Sequence, residues 1–279
     1  MKVLVFGGSG FIGSRLIPAL RRRGADVVCA SLRDPAAATA AAAGCDAIVN
    51  LAGESISQRW STDVKRRIEE SRIDAPRRFL DALAKLSRSC AAYVSASAVG
   101  YYGTSETETF VEESPPGNDF LARVCVGWER EANRAADLGM RVAIVRTGVA
   151  LCADGGALAK ILPPFRLGAG GIVGTGQQWF SWVHVDDLVG VYLTALDGAS
   201  GPLNASAPNP VTNATFTAEL ASALHRPALL PVPTFVLRAM LGEGAEMLLE
   251  GQRVLPRRTQ ELGYAFKYPQ LKDALANLL

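Results

Sequence analysis

Residues 3–13 of the chain read Val-Leu-Val-Phe-Gly-Gly-Ser-Gly-Phe-Ile-Gly. The apolar run predicts a buried strand, and the glycines after it predict a tight turn that leads into a helix. Glycines let the backbone approach a pyrophosphate closely, and the free amides of a helix start attract negative charge. The stretch therefore predicts a dinucleotide site, and a plain glycine turn without a ligand is the alternative. Its predicted binding residues are Gly7, Gly10, Phe11, Ile12 and Gly13.

Strands and helices alternate through the first half of the chain. Apolar, β-branched runs predict further strands, and amphipathic periodicity predicts helices between them. Pro76 should kink or divide the helix in which it lies. Continuous apolar strands between helices predict an α/β fold, a Rossmann-type doubly wound parallel sheet. We expect strands at 26–30, 47–50, 92–95 and 141–146 and helices at 11–23, 60–86 and 119–137, whereas 35–43 fits a helix or a loop.

The glycine content and the hydrophobic periodicity of the sequence change at about Leu151. Glycines become dense between 168 and 176, the periodicity becomes irregular, and helices are predicted at 213–224 and 233–250. We interpret residues 1–150 as the dinucleotide-binding Rossmann domain. Residues 151–279 are expected to form a smaller C-terminal lobe that is interleaved with the last strands of the sheet.

The composition excludes several classes of function. With 29 Lys and Arg against 27 Asp and Glu, the net charge of +2 gives no electrostatic case for binding nucleic acid. No run of ~18 apolar residues predicts a membrane span. Two His and five Cys without a CxxC pair predict no metal site. Met1 leads directly into the first strand, which leaves no signal peptide and predicts a cytoplasmic protein.

The end of the second predicted strand indicates which dinucleotide binds. NAD sites usually place a carboxylate at this point, where it binds the ribose hydroxyls. Here the strand continues into Ser31-Leu32-Arg33, with Asp34 just beyond. A serine hydroxyl and a guanidinium suit a 2′-phosphate, so NADP(H) is the predicted cofactor. Asp34 keeps NAD open as an alternative, and Arg33 could equally be an ordinary surface residue.

Several motifs together resemble one known family. The chain resembles the epimerase family proteins, an atypical branch of the extended short-chain dehydrogenase/reductases that is related to nucleotide-sugar epimerases. The resemblance covers essentially the whole chain. The motifs that carry it are Asn50-Leu51-Ala52-Gly53, Gly53-Glu54, Trp60, Ser71-Arg72, Pro164-Phe165-Arg166, Ser181-Trp182-Val183-His184-Val185-Asp186-Asp187 and Gly251-Gln252-Arg253-Val254-Leu255-Pro256.

The resemblance implies a Rossmann domain that holds NADP(H) and a C-terminal lobe that shapes a substrate cleft. It implies that Ser31 and Arg33 reach the adenosine 2′-phosphate. The loop that ends at Ala150 should approach the nicotinamide side, and Ser95 should lie near the cofactor. The remaining residues that the resemblance places along the cofactor are Leu51, Ala52 and Gly53, through their backbone, and Arg72 beside it.

The residues that usually transfer the proton are missing. In active members of the superfamily a Tyr and a Lys four residues later form the acid/base pair, because the Lys lowers the pKa of the Tyr. Aligning the chain on Glu129 places Leu121 at the position of the Tyr and Cys125 at that of the Lys. Leu121 cannot transfer a proton. Cys125 has apolar neighbours, so we interpret it as a packing residue rather than a base.

Three hydroxyl groups remain as candidate catalytic residues. Ser97 follows a predicted strand and matches the hydroxyl that polarises the substrate in the superfamily, although such a serine is often a simple turn residue. Tyr101 and Tyr102 come shortly after it. Either phenol could replace the missing acid, and the alternative is an aromatic wall beside the nicotinamide. The equivalent of His184 is mainly structural in the superfamily, where Asp186 or Asp187 would cap the next helix.

The sequence therefore predicts an NADP(H)-dependent oxidoreductase or epimerase acting on an unidentified small molecule, phosphorylated or nucleotide-linked in one interpretation. Ser97 would donate a hydrogen bond to the substrate, and a tyrosine or water would act as the acid. The loss of the Tyr and Lys supports an alternative, a sensor or binding protein that holds NADP(H) without turnover. A structural partner with a vestigial pocket is a third hypothesis. The oligomeric state stays open.

Overall fold

The computed structural model describes residues 1–86, 90–228 and 230–279. The strands are β1 (Lys2–Phe6), β2 (Asp26–Ala30), β3 (Ala47–Asn50), β4 (Ala92–Ala98), β5 (Thr109–Phe110), β6 (Arg141–Thr147), β7 (Val149–Cys152), β8 (Trp179–Phe180), β9 (Trp182–His184), β10 (Gly201–Ala205), β11 (Val211–Thr212) and β12 (Arg253–Val254).

The helices fall between these strands and after them. They are α1 (Gly13–Arg22), α2 (Pro35–Ala42), α3 (Thr62–Glu69), α4 (Ala75–Leu83), α5 (Phe120–Asn133), α6 (Gly156–Arg166), α7 (Val185–Asp197), α8 (Asn213–Leu224), α9 (Thr234–Leu241), α10 (Glu246–Leu249), α11 (Arg257–Glu261) and α12 (Leu271–Leu278). A π-helical turn (Glu70–Asp74) joins α3 to α4, and 3₁₀ turns span Val99–Tyr102, Arg134–Leu138 and Gly242–Ala245.

The centre of the molecule is a six-stranded sheet in the order β10-β6-β4-β3-β1-β2. Each neighbouring pair of strands runs parallel. Alternate residues of β1 point to opposite faces, so Val3 and Val5 pack with Leu16 of α1, while Leu4 packs with Phe79 of α4. Both faces are covered, which confirms the predicted doubly wound Rossmann-type sheet.

The structure resolves one open prediction and contradicts another. Residues 35–43, left open between helix and loop, contain α2, because Pro35 occupies its first turn and Asp34 caps it. The single helix predicted at 233–250 is wrong. It is broken at Gly242, which has a φ of 61°, a backbone conformation that favours glycine. Pro76 lies in the first turn of α4 and marks the predicted division of the long helix.

The C-terminal half of the chain is tied to the central sheet. β10 pairs with β6 in the main sheet, and β12 pairs with β5 from the first half. A separate apolar cluster, which includes Leu158, Trp182 and Phe216, lies between α6, α8 and α12. Within the described ranges, no helix is long and apolar enough to cross a membrane.

Asp187 fixes the C-terminal segment to α7. Its carboxylate is fully buried and accepts hydrogen bonds from the Tyr264 hydroxyl at 2.9 Å, the Lys267 amide at 2.8 Å and the Tyr268 amide at 3.0 Å. The expectation that Asp186 or Asp187 caps α7 is wrong. His184 is the cap, since its Nδ1 accepts from the Asp186 amide at 3.1 Å.

Replacing Asp187 with Ala should lower the free energy of unfolding by about 3 kcal/mol, because buried donors lose a charged acceptor. Asp186→Ala is the matched control, since this side chain is exposed on the same turn and should cost less than about 1 kcal/mol. Urea denaturation followed by circular dichroism measures both losses. Equal losses in the two variants would contradict the role given to Asp187.

Candidate functional site

The glycine-rich turn after β1 admits no side chains at two positions. Gly7 has a φ of 74°, and a Cβ there would lie 2.8 Å from the backbone of Leu51. A Cβ on Gly13 would lie 2.5 Å from the carbonyl oxygen of Gly7. The Gly10 amide closes the turn by donating to that same oxygen at 3.0 Å. The glycines thus let β1, the start of α1 and the turn after β3 pack closely together.

The backbone amides at the start of α1 form a potential anion site. Ile12 occupies the cap position, and its side chain makes no capping hydrogen bond. The amides of Phe11, Ile12 and Gly13 have no acceptor among the residues that the structure describes. Unpaired amides at a helix start, together with the positive end of the helix dipole, bind phosphate groups. The predicted phosphate-binding residues therefore share one small region.

The end of β2 presents a free guanidinium. Ser31 and Arg33 are both exposed, and the Arg33 amide donates to the Ser31 Oγ at 3.2 Å. Within the described parts of the chain, Arg33 makes no ion pair. Asp34 instead uses its Oδ1 to cap α2, accepting from the Ala37 amide at 3.0 Å. The carboxylate that could have indicated NAD is thus committed to a helix cap.

The turn after β3 lies against the glycine-rich turn. The Leu51 amide donates to the Phe6 carbonyl at 3.0 Å. Asn50 shapes the turn, because its Oδ1 accepts from the Ala52 amide at 3.1 Å and its Nδ2 donates to the Tyr93 hydroxyl at 3.1 Å. Leu51 and Ala52 are therefore placed beside Gly7, at the carboxyl edge of the sheet where such cofactors bind.

Arg72 packs against the next residue of that turn. It belongs to the π-helical turn between α3 and α4, and a Cβ on Gly53 would lie 3.0 Å from its Cζ. Its Nη1 donates to the Glu54 carbonyl at 2.9 Å, and its guanidinium lies 5.1 Å from the centre of the Trp128 ring. Burial lowers the pKa of Arg72. The structure thus brings Arg72 to Gly53, and its predicted position beside the cofactor stays a prediction.

Ala150 is connected to the glycine-rich turn through Phe11. A hairpin after Ala150 brings Gly155 and Gly156 back towards β7. A Cβ on Gly155 would lie 2.6 Å from the Phe11 ring. An ion pair between Arg15 and Asp154 holds the hairpin to α1. The hairpin therefore covers one side of the phosphate region.

The C-terminal lobe reaches the loop that follows Gly53. Lys160 of α6 donates to the Ser57 Oγ at 2.8 Å. The Trp60 amide donates to the Leu241 carbonyl, at the end of α9, at 3.0 Å. An ion pair between Lys65 and Glu243 adds a further link. These contacts place α6, α9 and the turn Gly242–Ala245 beside the loop that follows Gly53.

Ser97 does not present its proton to the cleft. The residue is buried, and its Oγ lies 2.6 Å from the Oε1 of Glu129. A carboxylate only accepts hydrogen bonds, so the single proton of Ser97 points at Glu129. The predicted role of Ser97 as a donor to the substrate does not fit this geometry. Ser95 is also buried, and its Oγ donates to the Ala96 carbonyl at 3.0 Å.

Glu129 and Arg146 form a buried, bidentate ion pair. Arg146 donates from Nε to Oε1 and from Nη2 to Oε2, both at 2.8 Å. Burial opposes the charge on Arg146, but hydrogen bonds and the charge of Glu129 raise its pKa. Its Nη1 also donates to the Tyr102 hydroxyl at 3.0 Å and to the Glu112 carbonyl at 3.0 Å. The Arg146 guanidinium thus connects several groups near the ends of β4 and β6.

The structure holds Tyr102 in the core rather than in the cleft. Its hydroxyl donates to the Asn204 Oδ1 at 2.7 Å and accepts from Arg146. Burial raises the pKa of Tyr102 to about 12. The phenol therefore keeps its proton at neutral pH and is fully engaged by protein groups. Its predicted role as a replacement acid is not consistent with this placement.

Tyr101 is the more accessible of the two tyrosines. Its side chain is half-buried, and its hydroxyl has no hydrogen-bond partner in the ranges that the structure describes. Arg146 lies beneath the ring, with its Cζ 3.5 Å from the ring centre. A cation against the face of a tyrosine holds the ring in place. Of the predicted phenols, Tyr101 is thus the one free to meet a substrate.

Leu121 and Cys125, which the alignment assigns to the missing acid/base pair, both lie on α5. Leu121 packs at the end of β4, because a Cβ on Gly100 would lie 3.4 Å from its Cβ. Cys125 is buried, and burial, assisted by the nearby Glu129 carboxylate, raises its pKa to about 12. A thiol with this pKa does not act as a base at neutral pH. Neither position therefore supplies proton transfer.

A groove of about 690 Å³ runs along the outer side of α1 and α7 and is bordered by Tyr264. It does not lie at the carboxyl ends of the strands, where a Rossmann-type sheet binds its cofactor. We therefore place the cofactor at the carboxyl edge of the sheet, called here the cofactor edge. At this edge the amides of Phe11, Ile12 and Gly13 are free and the turns after β1 and β3 pack together.

The fold and this edge define a dinucleotide-binding protein of the Rossmann type. The family model for the NAD dependent epimerase/dehydratase family matches residues 3–205, and a domain of unknown function (DUF1731) matches residues 232–278. The chain belongs to the NAD dependent epimerase/dehydratase family, which confirms the resemblance noted in the sequence.

Two curated relatives and one solved structure are similar over the full chain. The epimerase family protein SDR39U1 homolog of Arabidopsis thaliana, described as chloroplastic, is 45% identical and covers 100% of this chain and 87% of its own. SDR39U1 of Mus musculus is 40% identical, with 100% of both chains covered. The crystal structure of human epimerase family protein SDR39U1 (isoform 2) with NADPH has a TM-score of 0.92 at 38% identity, covering 100% of this chain and 99% of that one.

Sequence reasoning missed the partners of the predicted hydroxyl groups. Glu129 served only to align the helix, and Arg146 was assigned no function. Arg146 lies inside the apolar strand 141–147, and this position could have revealed the ion pair, because a buried charge requires a buried partner. Two arginines near the C-terminus could bind an anion: Arg257 pairs with Glu113, whereas Arg253 stacks 4.8 Å from the centre of the Trp179 ring.

Replacing Glu129 with Ala should lower the free energy of unfolding by about 3–5 kcal/mol, because the charge of Arg146 is then buried without a partner. Glu113→Ala is the control, since its pair with Arg257 is exposed and should contribute less than about 1 kcal/mol. Urea titration reports both values. A loss for Glu129→Ala no larger than that of the control would rule out a structural role for the pair.

Proposed function

We propose that this chain binds NADP(H) and uses it to oxidise, reduce or epimerise a small molecule. The observation that carries the proposal is the group of free amides at Phe11, Ile12 and Gly13, beside the close-packed turns of β1 and β3. Such a site suits the pyrophosphate of a dinucleotide. NADPH in the crystal structure of the human relative supports the same assignment for this chain.

Ser31 and Arg33 are proposed to bind the 2′-phosphate. Arg33 is exposed at the end of β2 and makes no ion pair among the described residues, so its guanidinium is available to a phosphate. Asp34 faces away into the cap of α2. A carboxylate there would otherwise repel the phosphate, so its commitment to the cap favours NADP(H) over NAD.

The reaction would take place where β4 and β6 end. Bound NADPH supplies a hydride. Tyr101 would donate or accept the proton, because its hydroxyl is free and its ring is held on Arg146. The substrate would lie between this edge and the C-terminal lobe. A phosphorylated or nucleotide-linked substrate could be held by Arg253, which is half-buried against Trp179 without an ion pair in the described ranges.

A non-catalytic NADP(H) sensor is the second candidate function. Leu121 and Cys125 replace the usual acid/base pair, and the proton of Ser97 is directed at Glu129. Removing a positioned acid or base typically costs about 10²–10⁴ in rate, so the site could bind its cofactor without turnover. The cytoplasmic localisation stays a prediction, and so does the division into domains at residue 150.

Titration with NADPH and NADH should reveal preferential binding of NADPH. In Arg33→Ala, affinity for NADPH should fall about ten- to hundredfold while affinity for NADH stays unchanged, because only NADPH carries the 2′-phosphate. Intrinsic tryptophan fluorescence provides the measurement. Arg22→Ala, which changes an exposed arginine of α1 beyond the phosphate region, is the control. Unchanged NADPH affinity in Arg33→Ala would refute the phosphate assignment.

A turnover measurement distinguishes between the two candidate functions, an NADP(H)-dependent enzyme and a non-catalytic sensor. Purified protein should oxidise NADPH with at least one member of a panel of aldehydes, ketones and nucleoside-diphosphate sugars, and Tyr101→Phe should slow that reaction about 10²-fold or more. Cys125→Ala should leave the rate unchanged, since the thiol is buried and protonated. Tight NADPH binding without any turnover would favour the sensor, and equal rates in wild type and Tyr101→Phe would remove Tyr101 from the mechanism.

A further inference from the structure

The side chain of Arg72 packs against Gly53, where the absence of a Cβ leaves room for it. The guanidinium lies against Gly53, where a Cβ would come within 3.0 Å of both Cζ and Nη2. Arg72 belongs to the π-helical turn Glu70–Asp74, and such turns within helices frequently occur at functional sites. The Trp128 ring, 5.1 Å away, covers it from another side. The side chain is thus positioned at the end of β3.

The positive charge of Arg72 lacks a close negative partner. Its guanidinium donates to the carbonyl of Glu54, and no carboxylate of the described residues lies within 4.0 Å of it. The ionisable groups that face it are Cys125 and Glu54, and the Glu54 carboxylate lies 3.8 Å from Arg67. Burial lowers the pKa of Arg72, so the charge is poorly solvated. Such a charge acts over a longer distance than an exposed one.

The order of the strands indicates which half of the cofactor Arg72 meets. A dinucleotide crosses a Rossmann-type sheet with its adenosine at the second strand. Here Ser31 and Arg33 mark that end, at β2, on the edge of the sheet. The pyrophosphate lies at the turn after β1, so the nicotinamide half extends in the opposite direction, over β3 and β4. Arg72 lies at this end, beside Gly53 and near Cys125.

We infer that Arg72 makes the site bind NADPH more tightly than NADP⁺. The inference rests on the proposed function. The nicotinamide ring carries a positive charge in the oxidised cofactor and none in the reduced one. A fixed cation at this end of the site, with no carboxylate within 4.0 Å among the described residues, therefore repels NADP⁺ selectively. Unit charges roughly 6–12 Å apart at an effective dielectric constant of about 20 give a preference of about ten- to hundredfold.

This preference also distinguishes the two arginines of the cofactor edge. The 2′-phosphate is identical in NADP⁺ and NADPH, so Arg33 should strengthen the binding of both forms equally. Arg72 should instead change the ratio of their affinities. Tighter binding of NADPH raises the reduction potential of the bound couple, by about 30 mV for each tenfold preference. The protein would then hold reduced cofactor from a mixed pool of both forms.

The test compares dissociation constants for NADP⁺ and NADPH in the full-length protein. Wild type should bind NADPH at least about tenfold more tightly. Arg72→Gln and Arg72→Met, which remove the charge, should bring the two constants within about twofold of each other, and Arg72→Lys should keep a preference. Arg33→Ala is the matched control. It should weaken both forms and leave their ratio unchanged.

The outcomes separate this inference from the proposed function. Equal affinity of wild type for both forms, each weakened by Arg33→Ala, would overturn the role of Arg72 and leave NADP(H) binding intact. Binding of neither form would overturn the proposed function and the inference with it. Circular dichroism checks the fold of each variant. If either Arg72→Gln or Arg72→Met unfolds, the other variant provides the test. A folded neutral variant that keeps the full preference for NADPH over NADP⁺ would also overturn the inference.

Discussion

The ion pair between Arg146 and Glu129 joins the central sheet to α5 at the edge where β4 and β6 end. Both charges are buried, so each requires the other, and their remaining hydrogen-bonding capacity is satisfied by Ser97, Tyr102 and the backbone of Glu112. The same guanidinium supports the ring of Tyr101. Most groups near the expected reaction centre are therefore held by one electrostatic contact rather than by independent interactions.

That contact changes what the hydroxyl groups can do. In the superfamily the hydroxyl equivalent to Ser97 assists the acid/base pair, but here its proton is directed at Glu129. Tyr102 is engaged on both sides by Asn204 and Arg146. The loss of the usual Tyr and Lys is thus accompanied by a polar network that fills the interior behind them. Tyr101 is left at the surface of this network, which is why the proposed chemistry depends on it.

Much of the fold follows from local sequence signals, and much of the site does not. The strand and glycines of residues 3–13, the apolar strands and Pro76 act over short distances, and they predict the sheet and the division of the long helix. Alignment on Glu129 assigns Leu121 to the position of the Tyr, and that assignment stays a prediction. The partners of Ser97 and Tyr102 lie 32 and 102 residues away along the chain, so no local pattern reveals them. Next to the break at Gly242, Gly244 packs against Trp60, which is still further away along the chain.

The charges along the cofactor edge differ in how strongly water screens them. Arg33 is exposed, so its field is short-ranged, and in the proposed function it acts by direct contact with a phosphate. Arg72 is enclosed by Gly53 and Trp128, and its charge therefore influences groups that it does not touch. Arg146 is buried deeper still, but Glu129 neutralises it and removes its long-range effect. In the proposed function, a cofactor that extends from Arg33 towards β4 meets at its nicotinamide end a guanidinium with no carboxylate within 4.0 Å among the described residues. Because the nicotinamide ring changes its own charge when it is oxidised, that position would make Arg72 sensitive to the redox state of the cofactor.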